Sequence, residues 1–314
     1  PPPLLPPPPP TTSTLTVPAP SRARAAPSSP ARATCQGAPN PTSASSRAAR
    51  LVGRYASSLS SPMPMTDSHG NAVPVRVSDM PRILLLGGTS EASQMARVLA
   101  DSGANAVFSY AGRTTTPVSQ PLPTRIGGFG GVTGLAAYLR AENITHVIDA
   151  THPFAAQMSA NAVAACGMTN VALCALERPA WRAGPDDTWL SVPNTEAAVQ
   201  ALPDNPARVF LAIGKQTLSA FSHKSQHFYL LRLVDAPDTP LPLPRAQAVI
   251  ARGPFTEAED LALLRTHTIT HIVAKNAGGT GARAKLDAAR VLGLPVILID
   301  RPAVPPRAVR HSVD

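Results

Sequence analysis

Residues 82–92 read Arg-Ile-Leu-Leu-Leu-Gly-Gly-Thr-Ser-Glu-Ala, and the order of these side chains decides the fold. A short apolar run closed by two glycines has the pattern of a strand buried on both faces, as in a parallel sheet. Ala92, Met95, Ala96 and Leu99 then fall on one helical face that ends near Gly103. Strand, glycine turn and helix N-terminus together make an anion site, because the glycines admit close backbone approach and the helix offers free N–H groups and a positive dipole end. Gly87, Gly88, Thr89, Ser90 and Glu91 are the candidate residues. The strict G-x-G-x-x-G is absent, so a tight turn with an ordinary Ser/Thr cap is the plainer alternative.

The same alternation continues outward. Ala106–Tyr110 is a second strand, followed by Gly112, Arg113 and Thr114. A basic residue at the end of a second strand suits the 2′-phosphate of NADP, since a guanidinium offers forked donors. The glycines of residues 125–134 predict a mobile loop open to a ligand. Residues 145–150 form a strand that ends in Asp149-Ala-Thr-His-Pro-Phe154, with a helix from about Ala155 to Cys166. Asp149, Thr151 and His152 therefore stand at a strand's carboxyl end, where open α/β sheets bind ligands. His152 as a mere capping or packing residue is the competing reading.

Residues 181–193 read as an irregular junction, after which strands and helices alternate again. Thr256 and Glu259 form a capping-box pattern. The strand-end turns of this half carry Lys215-Gln216 and Lys275-Asn276, the latter running into Gly278-Gly279. Cations repeated at one topological position suit a polyanionic ligand, although any single loop lysine is more often just solvated. His223 and His227 have i, i+4 spacing but no third ligand between them, so no metal is expected.

Of the 314 residues 36 are Pro, and 17 of those fall in residues 1–80, together with seven Arg, no Lys and two acids. That stretch thus holds +5 of the formal +9, and 21 basic against 17 acidic residues leave +4 for the rest. The high pI belongs to the leader, which argues against nucleic-acid binding by the folded part. Residues 1–79 are expected to be disordered: a transit peptide, a regulatory tail, or upstream sequence ahead of a start at Met80. Three cysteines without CxxC spacing imply thiols in a reducing cytoplasm. No apolar run approaches the roughly 20 residues of a membrane helix.

The segments ILLLGGTSEA (83–92), YAGRT (110–114), GGFGGVTGL (127–135) and DATHPFA (149–155), then IGKQ (213–216), KNAGG (275–279) and AKLDAARVLGLPVILIDRP (284–302), occur in this order. Over residues 81–302 the chain resembles the precorrin-6A reductases of cobalamin biosynthesis. The resemblance implies an α/β fold of two Rossmann-like parallel-sheet domains, residues 80–180 and 181–314, with NADPH and a tetrapyrrole in the cleft between them. It implies hydride transfer from NADPH to a ring double bond of precorrin-6A, or of its cobalt form, giving precorrin-6B. Gly87, Gly88, Thr89, Ser90, Glu91, Arg113, Thr114, Asp149 and Thr151 would then serve NADPH. Lys215, Gln216, Lys275, Asn276, Gly278 and Gly279 would face the carboxylate-rich macrocycle, with His152 and Lys275 as candidate proton donors. Lys215 stands where the family commonly has Arg, and Ala277 where it commonly has Ser. A cytoplasmic monomer is expected. The alternatives are another NADP-linked α/β reductase, which would lack the second-half cations, and a non-catalytic dinucleotide-binding module.

Overall fold

The structure, a computed structural model, describes residues 81–112, 117–237 and 239–313. The expected leader and the pair Arg113 and Thr114 lie outside the described residues. The first half begins with β1 (Arg82–Leu86), α1 (Ser90–Asp101), β2 (Asn105–Tyr110), β3 (Thr124–Ile126) and α2 (Gly131–Ala141). It continues through β4 (His146–Asp149), α3 (Ala156–Thr169) and β5 (Ala172–Leu176). The second half runs β6 (Trp189–Val192), α4 (Thr195–Gln200), β7 (Arg208–Ala212), a 3-10 segment (Lys215–His223), β8 (Phe228–Leu233) and β9 (Ala246–Ile250). It ends with α5 (Glu257–Thr266), β10 (His271–Lys275), α6 (Ala284–Val291), β11 (Val296–Ile299) and β12 (Ala308–Arg310).

Two six-stranded sheets result, in the orders β12-β5-β4-β1-β2-β3 and β6-β11-β10-β7-β8-β9. Every pairing in both is parallel. From the far edge inward each reads as the doubly wound 3-2-1-4-5-6 order, except for the sixth strand. β6 follows the first half in sequence yet pairs with β11, while β12 follows β11 yet pairs with β5. The halves thus exchange their last strands. A division in which all of residues 181–314 forms the second sheet therefore fails at β12, because Ala308–Arg310 extends the first. Both sheets lie in one compact unit.

The first strand behaves as its composition requires. Ile83, Leu84, Leu85 and Leu86 are each at most 2% exposed, and Ala92, Met95, Ala96 and Leu99 form the buried face of α1. Of residues 125–134, expected to form a mobile loop, 125–126 end β3, 127–130 form a loop and 131–134 are the first turn of α2. Gly134 sits inside α2, where a Cβ would lie 1.7 Å from the carbonyl oxygen of Phe129, so it serves close packing rather than ligand access. The irregular junction hides β6 and leads into α4. The capping box forms, with Thr256 Oγ1 accepting from Glu259 N and Glu259 Oε2 accepting from Thr256 N. Pro153 lies in the turn before α3 rather than in its first position. Cys166 and Cys174 are buried core thiols, neither of them in a disulfide. No helix of the described residues is long and apolar enough to cross a membrane.

Candidate active site at the carboxyl ends of β1, β4 and β10

The turn after β1 is shaped by two glycines with different duties. A Cβ on Gly87 would lie 2.0 Å from the Phe108 ring, so only glycine lets the strand end pack on β2. Gly88 has φ +130 and open space where a side chain would go. Thr89 caps α1 by accepting from Ala92 N at 3.1 Å, and its hydroxyl donates to Ala150 O at 2.8 Å, tying the turn to the end of β4. A twelve-residue helix then presents its unbonded first-turn N–H groups beside an unobstructed glycine. This cradle fits a phosphate-bearing cofactor.

Glu91 faces the other half. Its Oε2 accepts from Ser90 Oγ at 3.0 Å and from Arg178 Nη1 at 3.1 Å. Asp149 is 3% exposed, and its Oδ1 accepts from both the hydroxyl (2.7 Å) and the backbone N–H (3.2 Å) of Thr151. Its Oδ2 lies 3.9 Å from Arg307 Nε. Asp149 Oδ1 and Thr151 therefore bind each other and shape the turn that carries His152, while the buried Asp149 Oδ2 makes no hydrogen bond and has Arg307 as its counter-charge.

That turn crosses to the second half. Phe154 packs on the core built from Val192, Leu218 and Phe221, and Lys275 Nζ sits 5.1 Å from its ring centroid. His152 Nδ1 accepts from Phe154 N at 3.2 Å, which assigns the imidazole proton to Nε2. Burial, then the positive charges of Arg178, Lys275 and Arg301, push the imidazole down to about 4 against the opposing pull of Glu91. His152 is consequently a neutral hydrogen-bond donor near pH 7, not an imidazolium acid.

The other second-half candidates divide. Lys275 ends β10 and Lys215 follows β7, its neighbour in the sheet, so both occupy one edge. Lys215 Nζ donates to Ala236 O at 3.3 Å, and Gln216 is exposed. Asn276 is turned inward: its Oδ1 accepts from Trp181 N at 2.8 Å and its Nδ2 donates to Trp181 O at 3.1 Å. It clamps the segment joining the halves. Gly278 and Gly279 have φ +71 and +72 and lie under close contacts. A Cβ on Gly278 would come 2.1 Å from Pro179 O, and one on Gly279 2.6 Å from Arg178 Cδ. Alongside runs a cavity of about 680 Å³ lined by Trp181, Arg182, Gly279, Arg283 and His311 among others.

Four charged residues of the site had no place in the sequence reading. Arg307 Nη2 reaches Glu177 Oε2 at 3.0 Å, and Glu177 Oε1 accepts from Arg301 Nη1 at 2.7 Å. Arg301 Nη2 donates to Arg178 O at 2.9 Å, and Arg178 binds Glu91. A connected network thus runs from Asp149 to Glu91 across both sheets and the C-terminal crossover, with Arg301 and Arg178 adjacent in it and joined through the Arg178 carbonyl. A signal was available: Arg178-Pro179 follows β5 and Arg301-Pro302 follows β11, the same topological position twice. Of the histidine pair, His227 is buried with Nδ1 accepting from Ala207 N, a packing role.

Comparison with known proteins agrees with this architecture. A family model described as precorrin-6x reductase CbiJ/CobK matches residues 82–314. The chain belongs to the precorrin-6x reductase family. Its reaction class is that of an NADPH-dependent oxidoreductase of cobalamin biosynthesis, as the ordered motifs implied. Similarity to the precorrin-6A reductase of Rhodobacter capsulatus is 70% identity over 235 residues, covering 75% of this chain and 94% of the relative. The precorrin-6A reductase from Sinorhizobium sp is 49% identical over 233 residues, covering 74% and 89%. A solved structure titled CobK precorrin-6A reductase superposes with a TM-score of 0.73 at 69% identity, covering 74% of this chain and 93% of that one.

Proposed function

We propose that this chain reduces metal-free precorrin-6A at a two-sided site, with NADPH on the β1 side and the tetrapyrrole on the β10 side. The observation that carries this reading is the meeting of the Gly87–Glu91 turn with His152 and Lys275 at the facing strand ends. When bound, NADPH supplies the hydride, and a proton completes the reduction of the ring double bond. Gly87 and Gly88 admit the cofactor's phosphates, the first turn of α1 stabilises their charge, and Arg113 with Thr114 takes the 2′-phosphate.

On the other side, Lys275 and Lys215 receive carboxylate arms of the macrocycle. The cavity beside Trp181, with Arg182, Arg283 and His311 on its lining, gives apolar surface and positive charge for the remaining arms. His152 directs its Nε2–H toward the substrate as a fixed donor. Carboxylates that neutralise Lys275 and the neighbouring arginines remove part of what depresses the imidazole, which makes His152 a better proton carrier in the complex than in the free protein. Asn276, Gly278 and Gly279 hold the loop rather than the ligand.

Residues 80–180 form the cofactor domain and residues 181–314, β12 excepted, the tetrapyrrole domain. One chain supplies both sides, which suits a monomer, and the buried thiols of Cys166 and Cys174 suit a reducing cytoplasm. The metal-free substrate follows the names of the relatives at 70% and 49% identity. The test is NADPH oxidation by the full chain with precorrin-6A or its cobalt form. Oxidation that depends on the metal-free substrate, with KM raised in Lys275→Met, is expected; no substrate-dependent oxidation with either form overturns the proposal.

A further inference from the structure

Arg178 touches both sides of the site at once. Its Nη1 binds Glu91 Oε2 at 3.1 Å and its Nε binds Ala277 O at 2.8 Å, with the side chain only 12% exposed. Glu91 is the second residue of α1, in the turn that faces the cofactor. Ala277 belongs to the loop that follows Lys275. Contact there is too close for any side chain but hydrogen: a Cβ on Gly279 would stand 2.6 Å from Arg178 Cδ and 3.2 Å from Glu91 Oε1. Arg301 braces the same joint from behind. Its Nε donates to Asn276 O at 3.0 Å, and its Nη2 donates to Ala277 O at 3.1 Å and Arg178 O at 2.9 Å. Ala277 O therefore holds two guanidinium donors, and the position acts through its carbonyl whatever its side chain.

We infer that Arg178 is a positioning residue that couples the cofactor turn to the tetrapyrrole-facing loop, so that each ligand tightens binding of the other. This rests on the two-sided site proposed above. Arg178 touches no reacting atom. Its forked donors make the first turn of α1 and residues 276–279 one mechanical piece. A ligand that orders either side orders the other, so the second ligand meets a smaller entropy cost. A lysine at this position would reach Glu91 or Ala277 O, not both in the same plane.

NADP⁺ and precorrin-6A form a dead-end pair, because the oxidised cofactor has no hydride to give. Calorimetry on the full chain measures Kd for NADP⁺ with and without saturating precorrin-6A. Tightening of about fivefold or more is expected in the native protein, little or none in Arg178→Met and Glu91→Gln, and an intermediate ratio in Arg178→Lys. A purely structural role for Arg178 would lower Tm and weaken both ligands while leaving that ratio intact. A native ratio near one, or a full ratio in the well-folded Arg178→Lys and Glu91→Gln proteins, overturns the inference; these two variants decide the matter if Arg178→Met does not fold. Absence of coupling in a native chain that still oxidises NADPH with precorrin-6A removes this inference alone. Failure of that oxidation removes the reading beneath it.

Discussion

Gly278→Ala is the smallest change that should separate the geometry of the site from the stability of the fold. Two costs arise at this position. At φ +71 an alanine pays the left-handed penalty of about 1 kcal/mol. Its Cβ would also stand 2.1 Å from Pro179 O and 2.4 Å from Arg301 Nη2. Ordinary contact lies near 3.5 Å, so the loop or the linker must give by about 1.4 Å, at a further cost of about 1–3 kcal/mol. Gly278 is three residues from Lys275, and displacing a substrate-positioning group by about 1 Å can lower the rate by about 10²-fold. Gly293→Ala is the control. Its φ is +63 with open space around the added methyl, and it follows α6, so it carries the backbone cost without the overlap. Steady-state NADPH oxidation with precorrin-6A, together with urea unfolding, reads both effects. Gly278→Ala should lose about 100-fold in kcat/KM and Gly293→Ala less than twofold. A Gly278→Ala enzyme within twofold of native would refute the argument that this contact positions the loop.

Three further expectations follow from the charges. The fold holds His152 near 4, below the usual 6.5, so its neutral form is favoured. The corresponding stability is complete above about pH 6.5 and is lost as pH falls toward 4, by up to about 3 kcal/mol. Urea melts across this range should show His152→Gln losing less stability than the native chain, and parallel losses would contradict the assignment. Arg307→Met leaves Asp149 buried without its counter-charge and frees Glu177 Oε2, and should cost about 3 kcal/mol. The double variant with Asp149→Asn should cost less than the sum of the two, and strict additivity would mean that the pair does not interact. Arg113→Ala should weaken NADPH by about 10–100-fold and NADH far less, and equal losses would refute the 2′-phosphate role.

The parts of the fold legible in the sequence are those written locally. Ile83–Leu86 with Gly87-Gly88, the apolar face of α1, and the Thr256–Glu259 cap each need only neighbours within a turn or a strand. β6 and β12 do not. Trp189–Val192 is four residues long with a half-exposed pattern, and Ala308–Arg310 is three residues between prolines and the C-terminus. Their identity comes from partners far away in the chain, β11 for the first and β5 for the second. No periodicity encodes that exchange. The site divides the same way. The glycine turn and the strand-end position of His152 and Lys275 follow from local pattern. Asn276 reads like a ligand group because it adjoins Lys275, yet its amide faces Trp181. Arg178 and Arg301 have no role in the local pattern, and only the crossover of the two halves brings Glu91, Glu177 and Ala277 O against them. Their shared Arg-Pro position was visible, but its meaning depended on the tertiary fold.

The most direct test of the two-sided site is transfer of deuterium from NADPH carrying deuterium at both nicotinamide C4 positions. The full chain is incubated with this cofactor and precorrin-6A, and the tetrapyrrole product is examined by mass spectrometry. One deuterium in precorrin-6B for each NADPH oxidised is expected. Oxidation without deuterium in the tetrapyrrole, or no oxidation with either the metal-free or the cobalt substrate, would contradict the two-sided site.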